Sequence, residues 1–334
     1  MSDVGLLGWI TQRLIAHDQH ARGLIARVLG ASTQNRQSIY AALAHEELNG
    51  IAPDTTLGQS DFDAVCERAM RLRNCPALEI ISAVYGNVPE GFLGALARCG
   101  AEPLKPDHYQ QLFEIYSTPQ PAKLNALKYV DQITRAVMDV IATLAPVLLH
   151  PKVVRSTADS AAASQLNDAL ACVQKLNSQA TNEAIQDAIR QMSEAGTISS
   201  VLMRFARRAD QFPPQPLVGV DGVRPLDSVP LLIAAGRKYQ NCLPTHVSRA
   251  LLGLVAFAEF QDETILEFRP LSNGGWLLED VHVEQNGRVA DADRAAAQEL
   301  CAHHGIAHVS RIGNPPPGWR SMESLFRRHH WDAA

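Results

Sequence analysis

The chain has 334 residues, 46% hydrophobic and 19% charged, with 30 Lys and Arg against 35 Asp and Glu for a formal charge of −5. That apolar content supports a real core and excludes wholesale disorder, and the acidic balance excludes a generally basic nucleic-acid coat. The length predicts about two domains, and no apolar run reaches the roughly 18 residues of a membrane span.

The first two hundred residues read as helices. Leu6, Leu7, Ile10 and Leu14 recur at helical spacing, and so do Leu24, Ile25, Val28 and Leu29. A polar stretch over 49–60 breaks the pattern, after which Phe62, Val65, Ala69 and Leu72 share one face. Pro76, Pro89 and Pro106 stand where a first helical residue belongs, and Gly86 and Gly100 where two helices would stop. The apolar positions Leu124, Leu127, Val130, Val137, Ile141 and Leu144 predict one long helix over 121–149, kinked or shortened at Pro146. Further helices fill 158–208, with Gly196 as a break.

The character changes at Phe212-Pro213-Pro214-Gln215-Pro216, which cannot be helix interior. We place the domain boundary here: a helical region over 1–210 and an α+β domain over 212–334. A turn at Asp221-Gly222 precedes a helix over 228–235 that Gly236 ends, and a second helix runs from Pro244 to near Gly253. Strand signals follow at 254–260, 264–268 and 276–284, the last two joined by a hairpin-type loop over 270–275. A helix returns over 292–303. The fold class is therefore α+β: an all-α N-terminal region followed by a small domain with an antiparallel sheet.

The six cysteines, Cys66, Cys75, Cys99, Cys172, Cys242 and Cys301, are scattered and contain no Cys-x-x-Cys pair. Free thiols in a cytoplasmic protein are expected. Met1-Ser2-Asp3-Val4 opens no basic-then-apolar pattern, so no secretory leader is expected. There is no P-loop, no Gly-x-Gly-x-x-Gly after a strand and no Gly-x-Ser-x-Gly elbow, which disfavours NTP-driven work, dinucleotide redox chemistry and serine hydrolysis.

Cys242 lies just ahead of the helix predicted to begin at Pro244, where free N–H groups and the nearby Arg237 and Lys238 would favour a thiolate. Asp280 and His282 alternate on one strand and would share a face about 7 Å apart. Cys242, His282 and Asp280 thus have the minimal layout of a nucleophile with an oriented base. The competing reading makes Cys242 a packed apolar group and His282 a residue of a half-exposed strand. If Leu266 and Phe268 face Trp276 and Leu278, Glu267 points away from His282; a one-residue register change reverses this.

Elsewhere, Cys301, His304 and His308 have zinc-ligand spacing, but Gly305 interrupts the helix and no fourth ligand is evident, so they read as helix-end residues and no metal or other cofactor is expected. Arg320, Arg327 and Arg328, beside Trp319 and Trp331, would contact phosphates and stack a base, or simply form a solvated terminal helix. Arg13 and His20 fit the loose spacing of a helical ribonuclease motif, with a second histidine at His17.

The stretch 212–286 resembles the PcfJ-like domain of bacterial, phage and plasmid proteins. The residues that carry the resemblance are Phe212-Pro213-Pro214, Pro225-Leu226-Asp227-Ser228, Asn241-Cys242-Leu243, Glu267, Trp276-Leu277-Leu278 and Asn286. The family pattern runs Cys-Val/Leu, a tyrosine four residues on, a Thr-x-Glu strand, then Gln-x-x-Gly-x-x-Asn. Here His246 replaces the tyrosine, Asp280 the glutamine and Val283 the glycine. The resemblance covers under a quarter of the chain. It implies that Cys242, His246, Glu267, Asp280 and Asn286, with Asn241 beside them, belong to one polar pocket, unless they are buried groups holding helix to sheet. It also implies an accessory or effector role in a mobile element or phage-related system; the helical half, which the resemblance does not reach, is expected to supply contacts to a protein partner. The rivals are a cysteine-dependent acyl-transfer or hydrolytic enzyme and a non-catalytic interaction scaffold. Oligomeric state is not legible.

Overall fold

A computed structural model describes residues 8–51, 59–118 and 120–308. These fall into two compact units, one within Met1–Ala171 and Thr181–Leu202, the other within Cys172–Ala180 and Met203–Ala334. The class is α+β, as the periodicity predicts, with a mixed rather than purely antiparallel sheet.

The first unit is helical: α1 (Gly8–His20), α2 (Leu24–Gly30), α3 (Thr33–Leu48), α4 (Gln59–Asn74), α5 (Ala77–Tyr85), α6 (Phe92–Ala97), α7 (Pro106–Ser117), α8 (Pro121–Lys128), α9 (Arg135–Thr143), α10 (Pro151–Ser156), most of α11 (Ser160–Leu176), α12 (Asn182–Arg190) and the start of α13 (Ile198–Ala206). At its centre is α3, where Ile39, Ala41, Leu43 and Ala44 are all fully buried. The small alanines let α5, α6 and α7 approach closely, so α3 is covered around most of its circumference and carries no polar stripe. A satisfied polar network closes this core. The Tyr109 hydroxyl donates to Gln37 Oε1 at 2.5 Å, while Gln37 Nε2 donates to the carbonyls of Gly100 and Glu102 at 2.9 and 2.7 Å.

The single long helix expected over 121–149 is instead α8, α9 and a 3-10 turn, Pro146–Leu148. The segment between α8 and α9 sends Val130 and Ile133 into the core, and Thr134 starts α9 by accepting from the Val137 N–H at 3.3 Å. Arg98 holds the break open. Its Nη1 donates to the carbonyls of Leu127 and Val130, each at 2.8 Å, satisfying the end of α8 with a side chain instead of another helical turn.

In the second unit, β1 (Val223–Pro225), β2 (Ala256–Phe260), β3 (Thr264–Pro270), β4 (Trp276–His282) and β5 (Ala307–His308) form one sheet in sequential order. The first four are antiparallel neighbours, and β5 returns parallel to β4 after α16 (Asp291–His303), since a parallel return needs a crossover. Against one face lie α14 (Val229–Lys238), the 3-10 helix Leu243–His246 and α15 (Val247–Leu251); there Leu232, Tyr239, Leu243, Phe257 and Ile265 are buried together. Against the other lies α16, with Ala258, Leu266, Phe268, Leu278, Val281 and Cys301. Ser228 caps α14 by accepting from the Leu231 N–H at 3.5 Å.

The helix does not stop at Gly236 but runs to Lys238, and Gly236 serves packing: a Cβ there would lie 2.4 Å from Pro244 Cδ. The proline-rich run is not a free linker either. Phe212 is buried in the α14 core and its N–H donates to the Asp227 carbonyl at 2.6 Å. Contacts divide the chain before that run, at Met203, and bring 172–180 into the second unit. There the Asn177 side chain donates to the Phe205 carbonyl, and the backbone N–H groups of Asp210 and Gln211 donate to the Leu176 carbonyl.

Candidate functional site

The register between β3 and β4 decides which side chains meet. Ile265 stands opposite His282, and Glu267 opposite Asp280, but Phe268 stands opposite Leu278, leaving Glu279 as an extra residue in a β-bulge. The bulge resets the alternation. Leu278 and Val281 both enter the α16 core although three residues apart, while Glu267 and His282 face the α14 side with Ile265. The apolar match of Leu266 and Phe268 with Leu278 is kept, yet Glu267 and His282 are brought onto one face rather than opposite ones.

There the Glu267 carboxylate and His282 Nε2 are 2.8 Å apart, with side chains 12% and 25% exposed. The hydrogen bond from His282 holds Glu267 below the usual carboxylate range, against the upward push of burial, and the charges of His282, His246 and Arg249 add to it. His282 is raised above the ordinary imidazole value by the same hydrogen bond, against burial, with the charges of Glu267 and Asp280 assisting and Arg294 opposing. Asp280 itself accepts from the Val281 N–H at 2.9 Å and faces Arg294 at 3.3 Å. It acts on His282 through charge, not through a hydrogen bond.

Cys242 is exposed and precedes a four-residue 3-10 helix, not the α-helix expected from Pro244. Local chemistry shapes this loop. Gln240 adopts a left-handed conformation (φ 48°), and the Asn241 side-chain oxygen accepts from the Leu243 N–H at 3.2 Å. The Thr245 hydroxyl donates to the Cys242 carbonyl at 2.7 Å. Asn241 is thus a turn-former. One turn on, His246 Nε2 lies 3.8 Å from Cys242 Sγ, so the histidine beside the thiol is His246, while His282 is held by Glu267. The His246 ring stands edge-on to Phe257, centroids 5.5 Å apart, and its Nδ1 is buried with no partner among the described residues. A proton on Nδ1 would therefore be a buried donor with no acceptor, costing about 1–3 kcal/mol. The favoured neutral tautomer carries its proton on Nε2, facing sulfur.

Asn286 is exposed in the turn after β4, with a left-handed backbone (φ 50°). That turn is tied to the loop after α14, because Gln285 N–H donates to the Tyr239 carbonyl at 2.8 Å. Compared with family models, curated proteins and solved structures, the chain matches none of them.

A buried acid that periodicity does not single out lies on the same face. Glu259 on β2 is 1% exposed, accepting from Lys238 Nζ at 2.6 Å and from the Tyr239 hydroxyl at 2.7 Å. Arg224 adds its charge 2.8 Å from Oε2, off the hydrogen-bonding direction. Burial would raise this acid, but its partners outweigh it and leave Glu259 below the usual range; Tyr239 is pushed up to about 12, first by burial and then by the carboxylate. The signal in the sequence is a single charge inside the apolar strand Ala256-Phe257-Ala258-Glu259-Phe260. Lys238 is engaged here, not at Cys242.

The remaining candidates separate. Cys301 is fully buried in the α16 core and burial pushes its thiol up to about 11. Among the described residues no cluster of His, Cys, Asp and Glu has the geometry to hold a metal ion, and no helix is long and apolar enough to cross a membrane. Arg13 pairs with Glu47 at 2.6 Å, His17 is buried against Glu46 at 2.7 Å and His20 packs on Phe62, three separate engagements. Arg320, Arg327 and Arg328 lie outside the described residues.

Proposed function

We propose that the chain is an accessory or effector protein of the PcfJ-like kind, whose second unit recognises a ligand or partner through the polar face formed by Cys242, His246, Glu267 and His282. The observation that carries this reading is the Glu267–His282 ion pair, oriented and nearly buried, on the face of the sheet where His246 packs on Phe257 beside the exposed thiol. Such a set offers a fixed negative acceptor, imidazole donors and a soft sulfur at one place, the few convergent polar groups typical of recognition sites. A methyl- and 15N-labelled full chain screened by NMR against a fragment library tests it. Shift changes should concentrate at Cys242, His246 and His282 and vanish in Glu267→Gln. Hits spread evenly over the chain, or unaffected by that substitution, defeat the reading.

Cysteine-dependent acyl transfer is the second reading, favoured by the 3.8 Å contact between Cys242 Sγ and His246 Nε2. It requires Cys242 to alkylate with iodoacetamide far faster than Cys172, which is also exposed, at neutral pH, and His246→Ala to abolish the difference. Equal rates for the two exposed thiols rule it out. The unpaired Nδ1 of His246 places recognition ahead of general-base chemistry.

A further inference from the structure

A groove of about 770 Å³ opens in the helical unit between the end of α8 and the start of α10, far in sequence from the polar face of the sheet. Four cations line it, Arg98, Lys128, Lys152 and Arg155, with Asp131 as the one carboxylate. Two of the four belong to the wall. Arg98 is held by the carbonyls of Leu127 and Val130, and Lys152 by the Met192 carbonyl at 2.6 Å and Glu194 at 3.0 Å. The other two, Lys128 and Arg155, are exposed and make no ion pair among the described residues, although the Glu194 carboxylate feels the charge of Arg155. Lys128 Nζ sits 5.9 Å from the ring centroid of Tyr129, itself 55% exposed.

His150 lies between these groups. Its Nδ1 accepts from the Lys152 N–H at 3.3 Å, so in the neutral ring the proton is on Nε2, a donor with no acceptor among the described residues. Burial first, and then the charges of Lys152, Arg155 and Arg190, hold this imidazole below its ordinary pKa. A second, 240 Å³ recess shares Asn125 and His150 with the first and extends it to Arg190. An apolar ligand would leave Lys128, Arg155 and the His150 donor unmatched; an anion with an aromatic face matches them all.

We infer that this groove binds nucleotides: phosphate oxygens engage Lys128, Arg155 and His150 Nε2, and a base stacks on Tyr129. A free nucleotide and a short single-stranded RNA offer the same chemistry. The inference is independent of the reading of the Cys242 face.

The test uses the full chain and fluorescence anisotropy with two probes, a labelled adenosine monophosphate and a labelled ten-nucleotide single-stranded RNA. At least one should bind, with affinity falling as salt rises; for RNA held by Lys128 and Arg155 the log–log slope is about −1.4, at about −0.7 per phosphate. Lys128→Glu with Arg155→Glu should weaken binding tenfold or more and flatten the slope. Tyr129→Ala should weaken it about fivefold or more at an unchanged slope. Binding of the monophosphate alone assigns the groove to free nucleotides, and preference for RNA assigns it to a strand; both support the inference. A separate readout is the His150 ring in 13C-labelled protein, whose pKa should rise when the monophosphate binds. No binding of either probe, binding indifferent to the double charge reversal, loss only on replacing Arg320, Arg327 and Arg328, or a polyglutamate peptide bound as well as RNA with Tyr129→Ala neutral would each overturn it.

Discussion

Replacing Glu267 by glutamine keeps the side-chain shape and removes the charge that holds His282. The pair is 2.8 Å apart, with side chains 12% and 25% exposed. Hydrogen bonds to charged groups contribute about 1.5–3 kcal/mol when well shielded, and the partial exposure of His282 favours the lower part, about 1.5–2 kcal/mol. At about 3–4 °C per kcal/mol for a unit of this size, the second unit should melt about 5–8 °C lower. The effect depends on pH in a defined direction. His282 is raised in the fold, so its contribution is complete below the ordinary imidazole value of about 6.5 and is lost as pH rises through the raised value. Glu267 is depressed, so its contribution is present above the ordinary value of about 4.3 and is lost as pH falls through the depressed one. The pair is therefore at full strength between about pH 4.5 and 6.5. Thermal melts of wild type and Glu267→Gln at pH 5.5 and pH 9 should show the larger difference at pH 5.5. An equal or larger difference at pH 9 would refute an ionic pair, and NMR titration of His282 in the variant should show a lowered pKa.

Gly236→Ala drives a methyl group into Pro244, at 2.4 Å from Cδ, and should cost about 1–3 kcal/mol. Because Pro244 lies in the turn that carries Cys242 and His246, the alkylation rate of Cys242 should change along with the melting temperature; a wild-type melt and rate would show that the packing is loose. Glu259→Gln removes the buried charge shared by Lys238, Tyr239 and Arg224 and should destabilise the chain by about 2 kcal/mol at neutral pH. Since the folded pKa of Glu259 is depressed, its contribution fades in acid, and the variant's loss relative to wild type should shrink as pH falls through that value; a constant gap down to pH 3 would contradict the assignment.

Local features were legible in the sequence. Short-range pattern placed β2, β3 and β4 within two residues of their observed bounds, because alternation and flanking turn residues act over a few positions. The serine that caps α14 and the all-helical first half follow from equally local rules. The break in the 121–149 helix does not, since its cause is Arg98, some thirty residues upstream, which supplies donors to the end of α8. Nor does β5, whose two residues, Ala307 and His308, form a strand only because β4 offers an edge.

The candidate site divides in the same way. Residue types and spacing picked out Cys242, Asp280 and His282, and the PcfJ-like resemblance added His246 and Glu267, but neither gave their pairing. Alternation along β4 puts Leu278, Asp280 and His282 on one face, and only the bulge opposite Glu267 sends Leu278 to the α16 core while keeping His282 beside Glu267. A bulge is chosen by the joint packing of both sheet faces, a property of strands already assembled. Which histidine stands by the thiol likewise depends on how the loop after α14 folds against Gly236. Sequence therefore determined the chemical groups and their local elements; tertiary packing decided their partners, because partner choice is set by contacts between segments far apart in the chain.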